Sequence, residues 1–155
     1  MPVVVDGDAV LWESNTICRY LAGQAGRDDL LPHEPLARAR IEQWMDWQAG
    51  DFNNAWRYAF MALVRKSPAH ADPASIKASV ASWNRHMALL DERLERTGAW
   101  VAGAAFTLAD IVIGLAVHRF MRTPIEHDTL PAVDAYYDRL RERPASMPHI
   151  ADDVP

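Results

Sequence analysis

Pro2-Val3-Val4-Val5-Asp6-Gly7-Asp8-Ala9-Val10-Leu11-Trp12-Glu13-Ser14 is the stretch whose reading decides the fold. Val3 to Val5 and Ala9 to Trp12 are short apolar runs, and the Asp6-Gly7 pair between them supplies the positive φ that a tight turn requires. The spacing predicts a β-hairpin. Ser14 then opens an apolar-periodic segment, Ile17, Cys18, Tyr20 and Leu21, that stops at Gly23 or Gly26. Its hydroxyl is placed to cap a helix whose first amides point outward, an end that attracts anions. A plain structural reading, with Ser14 only a cap and Glu13 only a first-turn acid, accounts for the same two residues.

Beyond this piece, residues 24–34 are polar and broken by Gly26 and Pro32, the composition of a linker. From Pro35 onward no strand pattern occurs. Pro35 suits a first helical position, and Ile41, Trp44, Met45, Phe52, Trp56, Phe60 and Leu63 recur at helical spacing, predicting one long helix bent near Gly50 and stopped before Pro68. A second face carries Trp47, Asp51, Asn54 and Tyr58 at steps of four, three and four. Such a polar-aromatic stripe either lines a cleft or is half covered by neighbouring helices. Asp72-Pro73 starts the next helix with a cap and a first-turn proline, and Ile76, Val80, Trp83, Met87, Leu90 and Leu94 lead to a stop at Gly98.

The 155 residues, half of them hydrophobic and 24% charged, suffice for a buried core. A net charge of -5 argues against a nucleic-acid or anionic-membrane surface, which needs clustered Lys and Arg. Arg139, Arg141 and Arg143 read as a solvated helix face. With Cys18 as the lone cysteine and no signal or spanning segment in the sequence, a cytoplasmic setting is expected. No metal-ligand spacing, phosphate-binding glycine loop or Gly-x-Ser-x-Gly occurs, so no metal is expected. His118 reads as a hydrogen-bonded core histidine.

The second strong signal is Trp100-Val101-Ala102-Gly103-Ala104-Ala105-Phe106-Thr107-Leu108-Ala109-Asp110-Ile111. Thr107 caps a helix while Asp110, three residues on, reaches back to the Thr107 amide, and Phe106 can staple onto Ile111. Between Asp110 and Arg119 no charged residue occurs, so this helix is expected at the buried centre of a bundle.

These two stretches, in this order, resemble those of glutathione S-transferases: the proline-led hairpin with its Glu-Ser pair, and the aromatic, Val-Ala-Gly and Thr-Leu-Ala-Asp-Ile run. The closing segment from Leu130 through Tyr137 to Leu140, and a short final helix from Arg143-Pro144, fit as well. The resemblance implies a mainly α fold: a partial thioredoxin-like α/β piece over 1–27, then an all-α helical domain over 28–155. It also implies that Pro2 stands at the cis-proline position and that Met1 pairs its backbone with glutathione. Glu13 and Ser14 would hold the γ-glutamyl group. A second-substrate pocket would draw on Trp47, Asn53, Asn54 and Tyr58, Asn53 and Asn54 standing where some bacterial relatives carry basic residues.

In the family, a strand, a helix and a second strand precede the cis-proline and carry the catalytic Tyr, Ser or Cys. No residue of this sequence inherits that role, so no catalytic residue is assigned, and Cys18 reads as a small core residue. Two functions follow. One is conjugation of glutathione, as co-substrate, to a small apolar electrophile in a complete form, as a homodimer with Arg38 and Glu42 at the interface rim. The other is a non-catalytic dimerisation or docking module.

Overall fold

In the computed structural model, residues 2–151 are described. The sequence piece that opens the chain folds as expected in outline. Strands β1 (Val3–Asp6) and β2 (Ala9–Trp12) pair antiparallel, Val3 with Trp12 and Asp6 with Ala9. The two-residue turn is therefore Gly7-Asp8 rather than Asp6-Gly7, because Asp6 still pairs in the ladder and the positive φ of 57° falls on Gly7 at the first turn position.

Helix α1 (Ser14–Gln24) follows within two residues of β2. Here the capping expectation is corrected: Glu13 is the N-cap, with φ 69°, and its side chain makes no capping bond, while Ser14 is already the first helical residue. A single left-handed residue turns the chain from strand to helix, which leaves no extended position for Ser14 to cap from. Tyr20 and Gln24 of α1 hydrogen-bond the Asp6 carboxylate and so hold the hairpin against the helix.

The rest is helical. Among the described residues the bundle comprises α2 (Pro35–Trp47), α3 (Asn53–Leu63), α4 (Pro73–Thr97), α5 (Leu108–Arg122) and α6 (Pro131–Arg141). A π-helical turn at Gln48–Phe52 joins α2 to α3, around the glycine where the sequence predicts a bend. Glu34 caps α2 through the amides of Leu36 and Ala37, Asp72 caps α4 through Ser75, and Gly98 closes α4 at φ 70°. Trp83, Met87, Leu90, Ile113, Val117, Phe120 and Tyr136 are almost wholly buried, which places α4, α5 and α6 around one core. Gly114 lets α5 lie close against α6, since a Cβ there would stand 2.9 Å from a methyl of Leu140.

Asp110 fixes the start of the central helix. Its carboxylate accepts the Thr107 amide at 2.8 Å and the Val101 amide at 2.9 Å, and the reciprocal capping box between Thr107 and Asp110 is formed. His118 is buried and its Nδ1 meets the Tyr137 hydroxyl at 2.6 Å.

Two further expectations are corrected. Among the described residues no helix follows Arg143-Pro144. Successive turns run to Ile150 instead, because Pro144 and Pro148 each remove a donor that a short helix needs. The arginines of α6 and its end form a solvated face only in part: Arg141 is exposed beside the Tyr137 ring, while Arg139 donates to the Ala99 carbonyl at 2.7 Å and Arg143 lies 3.6 Å from the centre of the Phe106 ring. A guanidinium near an aromatic face gains a cation–π attraction while its edge stays wet.

Candidate functional site

The start of α1 sits on the bundle through three polar contacts. Asn15 donates to the Met45 carbonyl at 2.8 Å, and Arg19 reaches Glu42 at 3.1 Å and Asp46 at 2.6 Å. Each contact joins α1 to α2, so the helix entrance is carried at the end of α2 that leads into the π-helical turn. Glu13 and Ser14 are exposed there. The first helical bond of α1 runs from the Ile17 amide to the Glu13 carbonyl, so the amides of Ser14, Asn15 and Thr16 have no partner within the helix. Three free amides and a serine hydroxyl at one exposed helix start can hold a carboxylate.

Met1, the position expected to pair its backbone with glutathione, lies outside the described residues, and with it the peptide bond into Pro2. Pro2 itself is exposed. One face of the hairpin is bare: Val3, Val5, Val10 and Trp12 are 56%, 68%, 53% and 58% exposed.

The four residues expected around a second substrate are not brought to one place. Trp47 turns toward α4, stacking on Phe52 at 4.9 Å and on His86 at 5.9 Å. Asn54 lines a shallow groove between α3 and α4 with Asp51, Ser82 and His86. Asn53 turns elsewhere, its Oδ1 accepting from Gln48 at 3.0 Å and from the Trp56 indole at 3.1 Å. The Tyr58 hydroxyl accepts the Asp72 amide at 3.4 Å, and its ring meets His70 edge-on at 4.9 Å. Arg38 and Glu42, expected at an interface rim, bond each other at 3.1 Å.

Two features were not assigned from the sequence. A cleft of about 340 Å³ opens between α5, α6 and the turns after α6, lined by Leu30, Phe106, Ile111, Leu115 and Ile150 with Arg27 and His149 among its polar residues. Leu115 faces outward on the largely buried α5, and an exposed leucine within an uncharged run is invisible to a periodicity argument. The other is an aromatic ladder, Trp56 to Trp83 at 5.7 Å and Trp83 to Phe120 at 5.4 Å, on which Arg119 rests. Its one sequence signal was the return of charge at Arg119 after an uncharged run.

Burial pushes the Cys18 thiol up, and the Arg19 charge offsets this only in part. Such a thiol is a poor nucleophile at neutral pH. Among the described residues, no group of three His, Cys, Asp or Glu side chains is arranged to hold a metal ion, and no helix is long and apolar enough to cross a membrane.

Comparison with known proteins agrees with the two stretches that set the fold. Residues 1–23 match the glutathione S-transferase N-terminal domain, and residues 73–139 match the glutathione S-transferase C-terminal domain. The chain is 38% identical over 140 residues to the glutathione S-transferase GstB of Escherichia coli K12, covering 90% of this chain and 67% of that protein. A theta-class glutathione S-transferase from Xanthomonas axonopodis pv. citri, solved with glutathione bound, superposes with a TM-score of 0.88 at 36% identity, over 97% of this chain and 72% of that one. A sphingomonad glutathione S-transferase complexed with glutathione gives a TM-score of 0.81 at 28% identity, over 97% and 72%. With a hairpin and helix of the thioredoxin-like piece leading into the helical bundle, this chain belongs to the glutathione S-transferase family.

Proposed function

We propose that this chain takes part in glutathione conjugation, with Glu13 and Ser14 holding the γ-glutamyl end at the start of α1. The observation that carries the reading is the left-handed Glu13 delivering an exposed Ser14 and three free amides to one point. A non-glycine residue at positive φ persists where its surroundings hold it there, often at ligand sites. The two superposed relatives whose structures contain glutathione support the same assignment. In the reaction, the glutathione thiolate attacks an electrophilic carbon, a C–S bond forms and the leaving group departs with the bonding pair. Cys18, whose thiol burial pushes up, does not stabilise that thiolate.

Calorimetry with glutathione tests the reading directly. The expected result is saturable binding that falls about tenfold in Ser14→Ala, the loss of one hydrogen bond to a charged group. Conjugation to a chlorodinitrobenzene is the accompanying activity measurement. Absence of glutathione binding by the intact chain, or equal affinity in the Ser14→Ala protein, overturns the proposal.

The bare hairpin face favours a second reading, a docking or dimerisation module, because a two-stranded sheet is marginal without cover on its apolar side. A concentration-dependent mass with no glutathione binding would select it.

A further inference from the structure

Glu13 holds φ 69° and ψ 116°, a backbone conformation that a residue with a side chain keeps only where its surroundings force it. The chain is fixed on both sides of it. Just before, Trp12 closes the hairpin ladder against Val3. Just after, the Asn15 side chain crosses to α2 and donates to the Met45 carbonyl at 2.8 Å. A carbonyl oxygen only accepts, so it is the Nδ2 end of Asn15 that faces α2.

Two side chains of α1 reach α2 here, and they are not equivalent. Arg19 pairs with Glu42 and Asp46, but the Asp46 side chain is 69% exposed and the guanidinium ends a long flexible stem, so water and lost side-chain freedom offset most of the attraction. Asn15 is short and half-buried, and it grips the backbone of Met45, a residue with no exposed surface. A main-chain atom held in a packed helix is a fixed anchor, whereas an exposed carboxylate is not. Asn15 also adjoins Ser14, while Arg19 lies more than a turn further along α1.

We propose that Asn15 is a positioning residue: by pinning the first turn of α1 to the Met45 carbonyl, it keeps Glu13 at positive φ and the Ser14 hydroxyl and the free amides aimed at one bound carboxylate. Its side chain faces α2 and acts through residues 13 and 14. The identity of the ligand rests on the glutathione reading above, and the hold on the Glu13 backbone does not.

The test uses the full chain and four variants. Asn15→Leu keeps the shape and loses the donor, Asn15→Ala loses the donor without adding apolar volume, Asn15→Gln keeps a donor on a longer stem, and Arg19→Gln removes the ion pairs. Glutathione affinity by calorimetry is expected to fall about fivefold in Asn15→Leu and Asn15→Ala alike, the worth of one neutral hydrogen bond, to recover in part in Asn15→Gln, and to fall less in Arg19→Gln. A second readout needs no ligand: the strong cross-relaxation between the amide and α protons of Glu13 that marks positive φ in NMR spectra. It is expected in the wild type and in Asn15→Gln, and weakened in Asn15→Leu and Asn15→Ala. An unchanged Glu13 signal in the two donorless variants overturns the proposal, and so does unchanged glutathione affinity in them. A loss of affinity in Asn15→Leu with none in Asn15→Ala traces the effect to packing and overturns it too. If the wild type binds no glutathione while the Glu13 signal still weakens without the donor, the glutathione reading falls and the hold of Asn15 on Glu13 stands.

Discussion

The Asp110 carboxylate holds the Val101 amide at 2.9 Å, nine positions back along the chain, while it also caps its own helix at Thr107. One side chain thereby fixes both the loop before α5 and the first turn of α5. Tyr136 of α6 closes the same point, its hydroxyl donating to the Asp110 carbonyl at 3.2 Å. Asp110 is fully buried, so removing its carboxylate strands two amides from water.

Asp110→Ala is therefore expected to cost about 3 kcal/mol, from two buried amides at about 1–3 kcal/mol each. For a chain of this size that lowers Tm by about 10 °C. Thermal unfolding followed by circular dichroism measures it, and a shift below about 2 °C would show that the contacts are dispensable.

The same residue gives a pH dependence. Burial raises the Asp110 carboxyl above its ordinary value despite the hydrogen bonds that favour the anion. A folded-state pKa above the unfolded one means the native state binds the proton more tightly. Its contribution to stability is then complete below the unfolded value and is lost as pH rises through the folded one. The stability gap between the wild-type protein and Asp110→Asn should accordingly be widest in acid and narrow as pH rises. Denaturant titrations at a series of pH values read this, and a gap that widens with pH contradicts it.

Glu13 couples stability to ligand binding. Replacement by glycine removes the penalty of a left-handed side-chain-bearing residue, roughly 1 kcal/mol, so Glu13→Gly is expected to be more stable than the wild type. The same change should weaken glutathione binding, because the carboxylate contact is lost. Denaturant unfolding and calorimetry on one preparation test both halves. A variant no more stable than the wild type would mean that Glu13 makes compensating contacts.

Gly114→Val should destabilise the chain by about 2 kcal/mol, since the added side chain meets the buried Leu140 where α5 and α6 approach. Pairing it with Leu140→Ala should recover part of the loss, as expected for two residues sharing one space. Additive effects in the double variant would place the strain elsewhere.

Cys18 is expected to react slowly with iodoacetamide at neutral pH in the native chain and faster after unfolding, because burial holds the thiol protonated. Mass spectrometry of timed samples gives the two rates, and equal rates would mean that the helix opens readily.

The sequence alone determined the local elements of this protein. Short apolar runs on either side of Gly7 specify the hairpin, Pro35, Asp72-Pro73 and Gly98 punctuate the helices, and Thr107 with Asp110 declares the start of the central one. Each of these signals acts between residues a few positions apart, where one backbone conformation satisfies the hydrogen bonds and the burial pattern together. Tertiary structure decided the rest. The left-handed turn at Glu13 displaced Ser14 from its expected cap. The direction of each side chain after the π-helical turn separated Asn53 from Asn54 and took Tyr58 away from the groove that Asp51 and Asn54 share with His86. Side chains from separate helices brought Trp56 and Phe60 to Arg119. Convergence of that kind depends on how distant helices cross and which faces they bury, and no spacing within one helix encodes it.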